Sequence, residues 1–436
     1  MRLSIVTFGS EGDTRPLAAL CRGLLDRGHD LTLFAEHSTL SLPRSLGIPC
    51  EALSGDVRSA LPIADPRQDL HLSDVFRSIK AVNAVIAENS ASWLRTVAPH
   101  ARESDAILFS SLGSGVGGAL AAQLHKPLIG LFFQPITPTR CFSSPMLPPM
   151  NLPGWANRLT FKPAHAQAWK ICGRPAQEAR REVFGTRDDT RLRFDHPMLF
   201  GVSRELVAQP DDWPDDHRIC GHWSRTDVTW QAPGDLLEFL AAGEPPIYAG
   251  FGSPSAFIRR KALGALIDAV AGRRAVFSPG WSRIDASVLP KNFFIVRDVP
   301  HEWLFPRMSM VIHHGGAGTT HTAARAGVPQ IVLPIGADHH FWAHRIALRG
   351  AAPKYPRNGR FSSKAVAALI DFAQRDETRM CARDLGAAMA REDGVGNAIR
   401  EIERLVSPQA RSHEALRVDS RARVAAKGLW FSIATD

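Results

Sequence analysis

One stretch limits the possible folds more than any other: His313-His314-Gly315-Gly316-Ala317-Gly318-Thr319-Thr320-His321. The apolar run 308–312 before it reads as a buried strand, and residues 319–326 after it read as a helix stopped by Gly327 and Pro329. A strand feeding a helix through glycines belongs to an α/β fold. Glycines at such a joint let backbone N–H groups approach an anion, and the positive end of the helix dipole favours the charge. The same residues also suit a plain strand-to-helix turn around a buried histidine. Both readings stand at this point.

The alternation recurs along the chain. A strand over 3–8, the turn Gly9-Ser10-Glu11-Gly12-Asp13, and a helix with Leu17, Leu20, Cys21, Leu24 and Leu25 at helical spacing lead to a strand over 30–35. Pro16 falls in the first turn of that helix, and Arg27-Gly28 supplies its stop. A strand over 47–52, a long helix over 72–97 and a strand over 106–109 follow. The Pro- and Asp-rich segment 207–235 breaks the pattern. A second series then begins, with strands over 246–250, 274–278, 293–296, 308–312 and 330–333 and a helix over 261–271. These pieces predict two doubly wound, Rossmann-like domains facing across a cleft, with the ligand between the carboxyl ends of their strands. The expected boundaries are 1–210, a linker 211–235, a second domain 236–406 and a basic tail 407–436.

The chain has 436 residues, enough for two domains with sizeable cores. Its net charge of +9 suits an anionic small molecule, a nucleic acid or an anionic membrane surface. No nucleic-acid-binding signature appears, so no nucleic-acid partner is expected. Six scattered cysteines without a CxxC pair predict neither a disulfide framework nor a zinc site, and point to a reducing compartment. With no recognisable secretory leader, the expected location is cytoplasmic. The uncharged run 106–124 is long enough to be weighed as a membrane span, but its Gly, Ser and Ala read better as strand, turn and helix.

From Asp298-Val299-Pro300-His301 to Asp338-His339 the sequence resembles the nucleotide-sugar signature of the large UDP-glycosyltransferase family, closest to its glycopeptide-antibiotic and sterol members. Other patches agree in order: Gly9-Ser10-Glu11-Gly12-Asp13, Asp212-Trp213-Pro214 with Gly221-His222-Trp223, and Gly250-Phe251-Gly252-Ser253. The resemblance spans residues 1 to about 405. It implies the GT-B fold, with the acceptor held mostly by the first domain and a UDP- or dTDP-sugar mostly by the second. It also implies an inverting transfer with no metal and no further cofactor.

The resemblance assigns roles residue by residue. Asp13 becomes the general base, although Asp is also a favoured helix N-cap. Ser10, Ser253, His314, Gly316, Gly318 and Thr319 would hold the diphosphate. Trp281 and the Val299 backbone would meet the base, although Trp281 reads equally well as a core aromatic. Asp338 and His339 would face the sugar, with a cap as the plainer role for Asp338. Many relatives carry arginine where this chain has Glu11, which cannot meet phosphate. His339 stands where glucosyltransferases commonly carry glutamine, so the sugar is left open between hexose and deoxyhexose.

From residue 106 to 177 there is no Asp or Glu. Phe132, Phe133, Phe142 and Met146 in this stretch are candidate walls for a large hydrophobic acceptor such as a sterol, polyketide, peptide aglycone or lipid, with a loop packed on its own domain as the other reading. Gly113-Ser114-Gly115-Val116-Gly117-Gly118 fits a dinucleotide fingerprint, but the acid such a site needs about 20 residues on is missing. Close helix packing is the better account. Trp430-Phe431 behind the basic tail allows a peripheral membrane contact, an unstructured end being the other reading. The predicted activity is transfer of a hexose or deoxyhexose to a hydroxyl of a hydrophobic small molecule. A non-catalytic activator partner or a nucleotide-sugar epimerase would be the alternative on the same fold.

Overall fold

A computed structural model describes residues 1–61, 72–186, 196–225, 230–252, 260–270, 272–280, 289–355 and 362–407. Two all-parallel sheets organise them. The first joins seven strands in the order β3-β2-β1-β4-β5-β6-β7. These are β1 Arg2–Val6, β2 Asp30–Glu36, β3 Cys50–Leu53, β4 Ala106–Phe109, β5 Leu128–Phe132, β6 Met198–Phe200 and β7 His217–Ile219. The second joins β8 Ile247–Gly250, β9 Ala275–Ser278, β10 Phe293–Ile295, β11 Met310–His313 and β12 Gln330–Val332 in the order β10-β9-β8-β11-β12.

The strands are near-continuous apolar runs because helices cover both faces of each sheet. Every residue of β4, β6, β8, β11 and β12 is buried. Both sheets turn outward from their first strand, so the carboxyl ends of β1, β4, β5, β11 and β12 deliver their loops to a common space. There Ser111 bonds to Asp13, Gln134 reaches Asp338, and the charge of Asp338 is felt at Asp13.

Three sequence expectations are corrected. The segment expected to be a linker contributes β7, which pairs with β6 from Met198↔His217 to Phe200↔Ile219. Trp213 is buried with it and donates its indole N–H to the Thr137 carbonyl at 3.2 Å. Three residues among prolines and charges carry too little periodicity to announce a strand. The final helix, Gly394–Val406, falls within the expected second domain, 236–406, yet it buries Ala398, Ile399, Ile402 and Val406 in the core of the first sheet. Each of the three larger side chains contributes about 1.5–3 kcal/mol there. Pro16 lies in the second turn rather than the first, because the helix Glu11–Asp26 already begins at Glu11.

The Gly-rich run after β4 forms the helix Ser114–Leu124. A Cβ on Gly115 would overlap the Cys172 carbonyl oxygen, so the glycine serves close helix packing. No helix among the described residues is long and apolar enough to cross a bilayer. Ser253, Trp281 and the tail 408–436 lie outside the described residues.

Candidate active site

Asp13 is the third residue of the first helix, not its N-cap; Ser10 holds that position. Its carboxylate folds back to accept the Ser10 N–H at Oδ2 (2.9 Å), and Ser111 donates its hydroxyl to Oδ1 (2.5 Å). Gly9 must be glycine: its φ is +135°, and a Cβ would come within 2.6 Å of Asp13 Oδ2. Burial pushes the Asp13 pKa up, opposed by the bonds from Ser111 and Ser10 and helped by the charge of Asp338. Asp338 belongs to the second domain, so the two carboxylates share one electrostatic environment across the cleft.

The phosphate-type turn is built around two buried histidines. His313 ends β11 and is fully buried. It accepts the Gly315 N–H at Nδ1 (3.1 Å), which leaves its Nε2–H to donate to Gln330 Oε1 (2.9 Å). Gln330 in turn donates to the Thr320 carbonyl (3.1 Å). His313 therefore fixes the turn from behind. His314 is also buried, and its ring lies under the glycines: a Cβ on Gly316 would meet His314 Nε2 at 2.5 Å. Burial, then the neighbouring His339, His313 and His301, hold His314 well below the ordinary histidine pKa, so it is neutral. The helix Ala317–Arg325 starts here, with Gly316 at its N-cap and no side chain capping it. A Cβ on Gly318 would meet nothing within 4 Å. The helix terminus thus carries N–H groups that no side chain caps, with open space beside Gly318, the arrangement that accepts an anion.

Asp338 occupies the N-cap position of the helix His339–Leu348 but makes no capping bond. Its Oδ2 accepts the Trp342 indole N–H at 2.7 Å, and the side chain of Gln134 reaches it from the first domain. Burial raises its pKa against these two bonds. His339 accepts the Gly336 N–H at Nδ1 (3.3 Å) and sets its ring edge-on to His314, 4.8 Å between centroids. Burial lowers its pKa to about 4, leaving a neutral ring that supports the turn before Asp338. Among the described residues four non-glycine residues have positive φ, and three are in this region: Ser111 (+48°), Asp298 (+54°) and Ala337 (+50°). Such conformations cost about 1–3 kcal/mol each and collect where geometry must be held against local preference.

The aromatic candidates divide. Phe132 is buried against Phe109 and Phe200, and Phe133 packs edge-on to Trp223 in the first core. Both belong to the sheet interior rather than to an exposed pocket wall. Phe142 is half-buried and meets Phe341 of the second domain at 5.5 Å, while Met146 is 37% exposed. Val299 is half-buried behind Asp298. Sequence reasoning missed Ser111, Gln134 and Arg15. Arg15, one helical turn past Glu11, lies close enough for its charge to depress the pKa of His301 in the second domain, after burial. No local pattern marks Ser111 or Gln134, whereas Arg15 was visible as the next outward cation after Glu11.

Comparison with known proteins identifies the family and the fold. The chain is 30% identical to the O-mycaminosyltylonolide 6-deoxyallosyltransferase of Streptomyces fradiae, across 95% of this chain and 99% of that enzyme. The chain belongs to this glycosyltransferase family. Residues 273–404 of the glycosyltransferase match the family described as erythromycin biosynthesis protein CIII-like, C-terminal domain. It is also 30% identical to the sterol 3-beta-glucosyltransferase of Aspergillus oryzae over 93% of its own length, spanning 30% of that longer enzyme. Its fold is the GT-B fold of solved glycosyltransferases. The glycotransferase of kitacinnamycin superposes with a TM-score of 0.66 at 18% identity, covering 92% of this chain and 98% of that one. The spinosyn rhamnosyltransferase complexed with thymidine diphosphate gives 0.65 at 18% identity, covering 92% and 100%.

Proposed function

We propose that this glycosyltransferase moves a hexose or deoxyhexose from a UDP- or dTDP-sugar to a hydroxyl of a hydrophobic natural product or sterol, with inversion at the anomeric carbon. The observation that carries the reading is the convergence of Asp13 from the first domain with Asp338 and the helix terminus at Gly316–Thr319 from the second. A base on one domain and an anion site on the other allow attack and departure on opposite faces of the sugar.

In this reading the diphosphate lies against the Gly316 and Gly318 N–H groups, the Thr319 hydroxyl and neutral His314, with Ser10 and Ser253 closing from other loops. Val299 and Trp281 meet the nucleobase. Asp338, oriented by Trp342, accepts a sugar hydroxyl, and His339 sets the turn that aims it. Asp13 removes the proton from the acceptor hydroxyl. That oxygen bonds to the anomeric carbon as the bond from carbon to diphosphate oxygen breaks, and the departing charge falls on the helix N-terminus, which takes the part a metal ion would otherwise play. The names of the macrolide and sterol relatives, with the acid-free stretch 106–177, support a hydrophobic acceptor. The test is product formation from UDP- and dTDP-sugars with mixed aglycones, read by mass spectrometry beside Asp13→Asn. Undiminished turnover by that variant would remove Asp13 as the base.

A further inference from the structure

A cavity of about 560 Å³ lies between residues 140–157 of the first domain and the helix His339–Leu348 of the second. Neither Asp13, Asp338 nor the turn at 314–319 lines it. Its apolar walls are Phe142, Met150 and Leu152 on one side and Phe341 and Leu348 on the other. The charges on it are of one sign. Arg140, Arg345 and Lys354 line it, together with the titratable His344, Tyr355 and Cys141, and among the described residues no Asp or Glu does.

Arg345 decides what such a cavity suits. Its guanidinium carbon lies 4.8 Å from the ring centroids of both Phe142 and Phe341. Aromatic contact occupies the faces of a guanidinium and leaves its in-plane N–H edge for acceptors. Yet Nε is buried with no hydrogen-bond partner among the described residues. A guanidinium keeps its charge at any working pH, and a desolvated charge without a partner is costly. The described residues thus supply two ring faces and an apolar wall but no anion.

We propose that this cavity is a second binding site, separate from the donor cleft, for an amphiphilic organic carboxylate. The carboxylate pairs with the Arg345 edge, Arg140 and Lys354 add charge at the rim, and the apolar body lies along Met150, Leu152 and Leu348. Because the two domains each supply a wall, the occupant binds best in the arrangement seen here and biases the enzyme toward it. The inference does not depend on the identity of the sugar, the acceptor or the base.

The test is calorimetric titration of the full chain with decanoate below its micellar concentration, with 1-decanol as the uncharged probe. Saturable binding of one decanoate is expected, at least tenfold tighter than decanol and unchanged within twofold by saturating UDP or dTDP. Arg345→Met should weaken decanoate at least tenfold. Leu348→Asp, at a residue that is 62% exposed, places a repelling charge at the wall and should weaken it about fivefold even if the Arg345 variant does not fold. Equal affinity for decanol and decanoate, displacement by the nucleotides, or no saturable decanoate binding would each overturn the site.

Discussion

The Ser111 hydroxyl donates to Asp13 Oδ1 at 2.5 Å across 98 residues of sequence, from a backbone held at φ +48°. The bond favours the ionised carboxylate, while burial opposes it and prevails. As the proposed base Asp13 must be ionised to act, so kcat/KM should fall as pH drops through a value above the ordinary carboxylate range. In Ser111→Ala the stabilising donor is gone, so the acid limb should move to higher pH. Asp13→Asn should cost about 10²–10⁴-fold in kcat. A limb that stays in place in Ser111→Ala would detach Ser111 from the base.

Trp342 positions Asp338 through a 2.7 Å bond inside the protein. Trp342→Phe keeps an aromatic side chain, smaller than the indole, and removes the donor, leaving a buried carboxylate oxygen without that bond at a cost of about 1–3 kcal/mol besides the lost packing. The donor KM should rise about tenfold, and the urea midpoint should fall. If the KM holds while stability falls, Trp342 is a packing residue and Asp338 does not depend on it.

Gly318 faces open space, whereas Gly316 lies against the His314 ring. Gly318→Val should therefore fold with stability changed by no more than about 1 kcal/mol, since the bulk points away from the protein and valine tolerates a helix better than glycine. UDP and dTDP affinity should drop by about two orders of magnitude, because one anion contact and its approach path are lost. Wild-type nucleotide affinity would place the diphosphate elsewhere.

Arg15 carries its charge toward the second domain. Its contact with Glu11, 3.4 Å at the surface, is worth little and leaves the guanidinium available to the donor. Arg15→Ala should raise the donor KM about tenfold with kcat nearly unchanged, and should flatten the salt dependence of donor binding. Unaltered KM would return Arg15 to a solvated helix face.

The buried histidines make a prediction about stability. Burial holds His313, His321 and His339 at about 4, below the ordinary value of 6.5. Between those pH values the unfolded chain binds more protons than the folded one, so stability rises with pH through this window and is lost on acidification. Each residue withdraws on the order of 3 kcal/mol by pH 4. Urea midpoints between pH 7 and 4.5 should fall steeply, and His321→Phe should shallow the slope. An identical slope would mean that His321 takes up its proton in the folded state.

Strands and helices with strong periodicity were legible from residues alone. The strand 106–109 appears as β4 with the expected bounds, and the strand-turn-helix joint at 313–321 forms where the glycines demand it. The two-domain α/β plan followed from that alternation. β6 and β7 were not legible, although β10 and β12, equally short, were: β7 lies among prolines and charges, and both β6 and β7 complete the first sheet by pairing with a neighbouring strand.

The sequence by itself determined which groups this glycosyltransferase has to work with: a glycine joint that spares N–H groups for an anion, and carboxylates at 13 and 338. Only the tertiary structure decided their company. Ser111 on Asp13, Gln134 on Asp338, Arg345 against Phe142 of the first domain, and the final helix on the first sheet are all set by the packing of distant elements. Local preference fixes what one strand or helix can be; which side chains meet across a cleft depends on loop ends brought together by hydrophobic burial, a non-local effect with no local spelling.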